Sequence, residues 1–145
     1  VHLFDATHQD EHSLEVHLPF LQIVLRDFEI VPLVGGDASE DEVAEVIRAL
    51  WTGPRTLVVV SSDLSHYLDS RTARAMDEAT SRGIEAMDPG VLGSESACGR
   101  IPIRGLLAEA KSRGLKITTV DLRNSGDTAG SKEQVVGYGA YVVHH

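Results

Sequence analysis

Thr56-Leu57-Val58-Val59-Val60 runs directly into Ser61-Ser62-Asp63-Leu64-Ser65-His66-Tyr67, and the fold class turns on this junction. Five consecutive β-branched or aliphatic residues predict a strand covered on both faces. The polar stretch behind them predicts a loop at the strand's carboxyl end, where open α/β sheets gather their ligands. Upstream, Phe28–Val34 predicts another strand, closed by the turn signal Gly35-Gly36-Asp37. Ser39 is placed to cap a following helix whose first turn carries Glu40, Asp41 and Glu42 near the positive end of its dipole. Val43, Val46, Ile47 and Leu50 give that helix an apolar face, and Gly53-Pro54 ends it. Downstream, Ser70 opens a helix to about Arg82, with Ala73, Met76, Ala79 and Thr80 on one side. Arg104–Arg113 predicts a further helix stopped by Gly114, and Lys116–Leu122 and Val135–Val143 predict two more strands. Alternating elements of this kind predict an α/β fold, a layered sheet with flanking helices, in one domain over residues 1–145.

The chain has 145 residues, 22 acidic and 13 basic, for a net charge of −9. That sign argues against nucleic acid and against an anionic membrane surface, both of which would repel it. The longest aliphatic run is far short of a bilayer span, and no basic-then-apolar leader is expected. A single cysteine excludes an internal disulfide and suits a reducing, cytoplasmic setting. The first residue is Val1 rather than Met, so a piece of a longer chain is expected.

Three segments have side chains suited to chemistry. Asp63 and His66 stand three apart in a loop: the imidazole can move a proton near neutral pH, and the carboxylate can orient it or hold a cation. The alternative is that Asp63 caps a turn and His66 is a partly buried, hydrogen-bonded residue. Cys98, in Ala97-Cys98-Gly99-Arg100, precedes a helix, where the dipole and the Arg100 cation favour thiolate. Against that stands the small buried hydrophobe that most free cysteines are. His12 and His17 lie five apart, a poor spacing for one helical face. Leu14, Leu18 and Leu21 there predict the start of an amphipathic helix. Ser61, Ser62 and Ser65 are hydroxyl nucleophile candidates, but no G-x-S-x-G elbow surrounds them. Neither nucleotide-binding glycine pattern is present, so no nucleotide cofactor is expected.

His12–Phe20, Ser61–Tyr67, Ala97–Arg100, Asn124–Asp127 and Val135–Tyr138 resemble, in this order, the motifs of the Memo family. Its bacterial and archaeal members are called AmmeMemoRadiSam system protein B. The resemblance spans about Glu11 to Val143. It implies a fold similar to the catalytic subunit of class III extradiol dioxygenases, in which two histidines and a carboxylate hold non-haem iron(II). It also implies that a cysteine, Cys98 here, stands at the carboxylate position as a metal ligand. Asp63 and His66 are placed in the cleft, His66 matching the acid–base histidine, while Ser62, His12 and Arg100 are candidates for its lining. The two histidine ligands are implied to lie in an N-terminal half that is missing before Val1. His12 and His17 belong to a different motif and do not take their place.

A thiolate in place of a carboxylate favours copper(I) or a more covalent iron centre. The first expectation is therefore a metal-binding protein with a redox or dioxygenase-like cleft and iron(II) or copper(I) as cofactor. Its expected partners are the radical-SAM and other proteins of the AmmeMemoRadiSam system. The second is a non-catalytic module that keeps the cleft to bind a peptide or small molecule, and the third an α/β fragment with no activity of its own.

Overall fold

A computed structural model describes all residues, Val1–His145. Four helices and three strands follow in the order α1 (Leu18–Val24), α2 (Glu40–Leu50), β1 (His66–Leu68), α3 (Ser70–Glu85), α4 (Arg100–Ser112), β2 (Lys116–Asn124) and β3 (Val135–His144). The sheet is antiparallel throughout, in the order β1-β3-β2. The α/β class holds.

The two helices and two strands expected after Ser70 form, with shifted bounds. β2 and β3 pair from Lys116 opposite His144 to Asn124 opposite Gly137. Asn124 closes β2 by a reciprocal box: its Oδ1 accepts the Gly126 N–H at 3.0 Å, and the Asp127 carboxylate accepts the Asn124 N–H at 3.0 Å. α3 starts where the Asp69 carboxylate accepts the N–H groups of Arg71 and Thr72, both at 3.1 Å. It is fastened to the sheet by Ser81 against the Tyr141 hydroxyl at 2.6 Å, and by the Thr119 N–H donating to Glu85 at 2.8 Å. Its buried side holds Ala73, Asp77, Thr80 and Ser81, while Ala79 is exposed, contrary to expectation. α4 begins at Arg100, four residues before the predicted start, because Pro102 falls in its first turn, where its missing N–H costs nothing. Gly114, at φ 67°, ends it.

α2 has the predicted cap, completed by Glu42: Ser39 Oγ accepts the Glu42 N–H at 3.3 Å, and the Glu42 carboxylate accepts the Ser39 N–H at 2.8 Å. It stops at Leu50, before Gly53-Pro54, and Leu50 is exposed while Ala44 and Ile47 are buried. α2 lies against α4, and a buried ion group pins the pair. Glu109, 1% exposed, accepts from Arg113 Nε at 2.6 Å and from Arg48 Nε at 2.9 Å. Burial alone raises the Glu109 pKa, but the hydrogen bonds from Arg113 and Arg48 more than reverse it and hold the carboxyl below its usual value. The Arg113 guanidinium also stacks over Trp51, 4.6 Å from the ring centre.

Two predicted strands are absent. Phe28–Val34 has no strand assignment, and Ile30, Val31, Leu33 and Val34 are exposed. Thr56–Val60 is not a strand either: Leu57 and Val59 are 70% and 49% exposed, while Val60 packs against the core. This run is covered on one face, not two. β-Branched sequence fits a pleated surface, but a strand also needs a neighbour to receive its N–H and C=O groups. Neither run has one here. The predicted amphipathic helix starts late: Ser13–His17 are turns and α1 begins at Leu18, so Leu18 and Leu21 of the expected stripe are helical and Leu14 is not.

The core is therefore lopsided. Leu64, Ile84, Leu92, Ala97, Ile103, Leu107 and Ile117 form it, and before Leu64 the only buried residues are Ala44 and Ile47. No helix is long and apolar enough to cross a membrane.

Two outcomes are expected. Glu109→Gln should lower stability by about 2 kcal/mol at pH 7, as charged hydrogen bonds are lost. Because the folded pKa lies below the unfolded one, Glu109 stabilises above about pH 4.5, and its contribution disappears as pH falls through the lowered value. Urea unfolding at several pH values checks both statements: the gap between wild type and variant should close in acid. Replacing Leu57 and Val59 by Thr should change stability by no more than about 0.5 kcal/mol per site, since neither side chain is covered. A cooperative loss of several times that in a melting experiment would mean that the run is packed.

Candidate functional site

The loop after Val60 meets the segment before α4. Cys98 N–H donates to the Asp63 carbonyl at 3.3 Å, and the Asp63 N–H donates to Cys98 Sγ at 3.2 Å. Ser62 Oγ donates to the Asp63 carbonyl at 2.6 Å, accepts the Gly99 N–H at 2.8 Å, and lies 3.5 Å from Cys98 Sγ. This approach is close enough to require glycine at 99: a β-carbon there would sit 2.8 Å from the Ser61 carbonyl and 2.7 Å from Ser62 Cβ. Cys98 is exposed, so the thiol is accessible instead of filling the core.

Asp63 and His66 come together as their spacing suggested. Asp63 Oδ2 is 3.6 Å from His66 Nε2, with 47% of the carboxylate side chain and 33% of the imidazole side chain exposed. His66 begins β1 opposite Val136, whereas Leu68 opposes Val135. Two steps on β1 thus match one on β3, and Tyr67 is the extra residue. It adopts φ 59° and is 74% exposed. A bulky side chain in the left-handed region is strained, and the bulge that holds it re-aims the neighbouring residues. From the sequence, His66 is expected in a loop at the carboxyl end of a strand over Thr56–Val60. In the structure it opens a strand of its own.

The other nominated residues are dispersed. Arg100 is half-buried at the start of α4. The His12 side chain is 80% exposed and pairs with Glu15 at 3.3 Å. Beside it, the backbone N–H groups of Ser13 and His12 hold the Glu11 carboxyl below its usual range. His17 is the histidine that reaches the site loop, with Nε2 2.9 Å from Ser61 Oγ. Nothing in the sequence announces a contact across 44 positions. Gly99, by contrast, was visible as a small residue directly after the cysteine.

The assembled group comprises an exposed thiol held by a backbone N–H, a hydroxyl, and a carboxylate–imidazole pair. Such a set can take up and release a proton at the imidazole and offer one soft ligand. Nowhere in the chain do three His, Cys, Asp or Glu side chains converge as a metal site requires. Gly99→Ala is expected to cost about 1–3 kcal/mol, as an overpacked contact does. It should also speed alkylation of Cys98 by iodoacetamide as the thiol loses its tie to residues 62–63. Unchanged alkylation in a folded variant would show that the contact does not govern the thiol.

Comparison with known proteins places these residues within one sequence family. The family model described as Memo-like protein matches residues 2–142. A MEMO1 family protein of Methanosarcina acetivorans is 38% identical over 149 residues, covering 94% of this chain and 56% of the relative. Those of Archaeoglobus fulgidus and Thermotoga maritima are 35% and 34% identical, with 95% and 91% of this chain and 57% and 50% of the relatives covered. The chain spans about half the length of the curated relatives it matches.

Proposed function

The chain belongs to the Memo-like protein family, and from that premise we propose that Ser62, Asp63, His66 and Cys98 form one wall of a dioxygenase-like cleft with a redox role. The observation that carries the reading is the meeting of the Cys98 thiol with the Ser62–Asp63 backbone, three residues from His66. In this reading Asp63 Oδ2, 3.6 Å from His66 Nε2, orients the ring and steadies its charged form, and the ring takes up or delivers a proton on a molecule in the cleft through Nδ1, the nitrogen that Asp63 does not face. Ser62, fixed by Gly99, holds the thiol's side of the wall in place.

The residues of this chain do not by themselves fit a metal centre, since no three ligating side chains converge. Cys98 is proposed as a single thiolate ligand, with two histidines supplied from outside residues 1–145, as the likeness to class III extradiol dioxygenases implies. The chain then corresponds to the C-terminal half of that fold. A thiolate suits copper(I), or iron(II) in a more covalent setting; when bound, the metal supplies the redox chemistry. The radical-SAM protein and the third component of the AmmeMemoRadiSam system are the proposed partners, in the cytoplasm.

The absence of a convergent ligand set favours a second reading, in which the same wall binds a peptide or small molecule without catalysis. An anaerobic titration with copper(I) and iron(II), on a chain extended to carry the two outside histidines, separates the two, and no binding there leaves the second reading. On the first reading, copper(I) binds at one equivalent, Cys98→Ser weakens it roughly tenfold or more, and His66→Ala leaves it in place. Binding that is indifferent to Cys98→Ser overturns the ligand assignment and leaves the second reading.

A further inference from the structure

α3 carries an acid on its buried side. Asp77, one turn beyond Ala73, is 2% exposed, and its Oδ1 accepts the Ser65 N–H at 3.0 Å. Its Oδ2 faces Gly137, where a β-carbon would collide with the carboxylate. Burial pushes the Asp77 carboxyl above the usual carboxylate range, against the pull of the Ser65 N–H bond and of His66 nearby. A carboxyl group in a core is costly unless its bonds are needed, and an apolar residue of similar size is often as good for stability.

The bond it makes is to the backbone N–H of Ser65, the residue directly before His66. Ser65 is fully buried, so its N–H would have no water to turn to. Its carbonyl accepts the Gly137 N–H at 2.8 Å, and the Leu64 N–H donates to the Gly137 carbonyl at 2.9 Å. Ser65 is therefore held through its carbonyl by β3 and through its N–H by Asp77. Gly137 serves both, pairing through its backbone and leaving room for the carboxyl group.

We infer that Asp77 is a positioning residue, whose carboxyl group fixes the Ser65 N–H and so aims His66 at Asp63, with Gly137 making the space it needs. Its functional meaning rests on the proposed role of the Asp63–His66 pair; the geometry does not. Amide hydrogen exchange by NMR on the 145-residue chain tests it. In Asp77→Ala, exchange at Ser65 should accelerate about tenfold or more relative to the amides of Ile117 and Val143 on β2 and β3, and the His66 ring nitrogen signals should move. Asp77→Asn, whose amide oxygen can accept the same bond, should restore both. Gly137→Ala should reproduce Asp77→Ala, and the double variant should be no worse than either single one, because removing the carboxyl group clears the collision.

Ser65 protection unchanged in Asp77→Ala overturns the inference. So does a uniform loss across β2 and β3 in both Asp77 variants, which would mark Asp77 as a stabilising residue only. If the metal titration is indifferent to Cys98 while Ser65 responds as stated, the reading of the site fails and the positioning role stands. The reverse pattern separates them the other way.

Discussion

Two backbone hydrogen bonds hold the candidate site to its frame: Leu64 N–H to the Gly137 carbonyl, and Gly137 N–H to the Ser65 carbonyl. They join positions more than seventy residues apart, so the entropic cost of closing that loop must be met by the packing around them. That packing is the apolar cluster from Leu64 to Ile117, which sits under the same stretch. The remaining attachments follow from it. With Leu64 and Ser65 fixed, Asp63 is presented to Cys98, β1 can pair with β3, and Asp69 arrives where it caps α3.

The cluster so assembled is polar and open, and its order comes from main-chain partners more than from side-chain pairs. Cys98 is held by the Asp63 peptide, and Ser62 by the Asp63 carbonyl and the Gly99 N–H. Main-chain bonds of this kind fix position without consuming side chains, so the Asp63 carboxylate and the His66 imidazole remain accessible. The ion group at Glu109 is the opposite case. Its carboxylate is spent on Arg48 and Arg113, and its effect is to join α2 to α4.

Legibility in the sequence followed locality. The cap at Ser39 and the stop at Gly114 are each settled within a few residues, and each could be read; the strands from Lys116 and Val135 were readable too, and each has the other as its partner. Thr56–Val60 and Phe28–Val34 could not, because a β-rich run states what its side chains would fit and not whether another strand lies alongside. Of the site, Asp63 and His66 were readable from spacing, and Cys98 from its place before a helix. His17 was not, since its partner Ser61 is 44 positions away. Nor was Asp77: an acid on the inner face of an amphipathic helix contradicts the pattern by which inner faces are recognised.

The bulge at Tyr67 sets a parity. Upstream, the chain is registered against β3 through Leu64 and Ser65; downstream, it is registered again by Leu68 opposite Val135 and by the Asp69 cap. With both ends clamped and one residue already accommodated between them, the segment has a fixed length as well as a composition. A substitution at Tyr67 changes the strain at φ 59° and the ring that lies 5.8 Å from that of His66 while leaving the register intact, whereas one inserted or deleted residue would turn either His66 or the start of α3 to the wrong face. The spacing from Asp63 to Asp69 is thus a quantity that the fold counts, and natural variation there should take the form of exchange without indels.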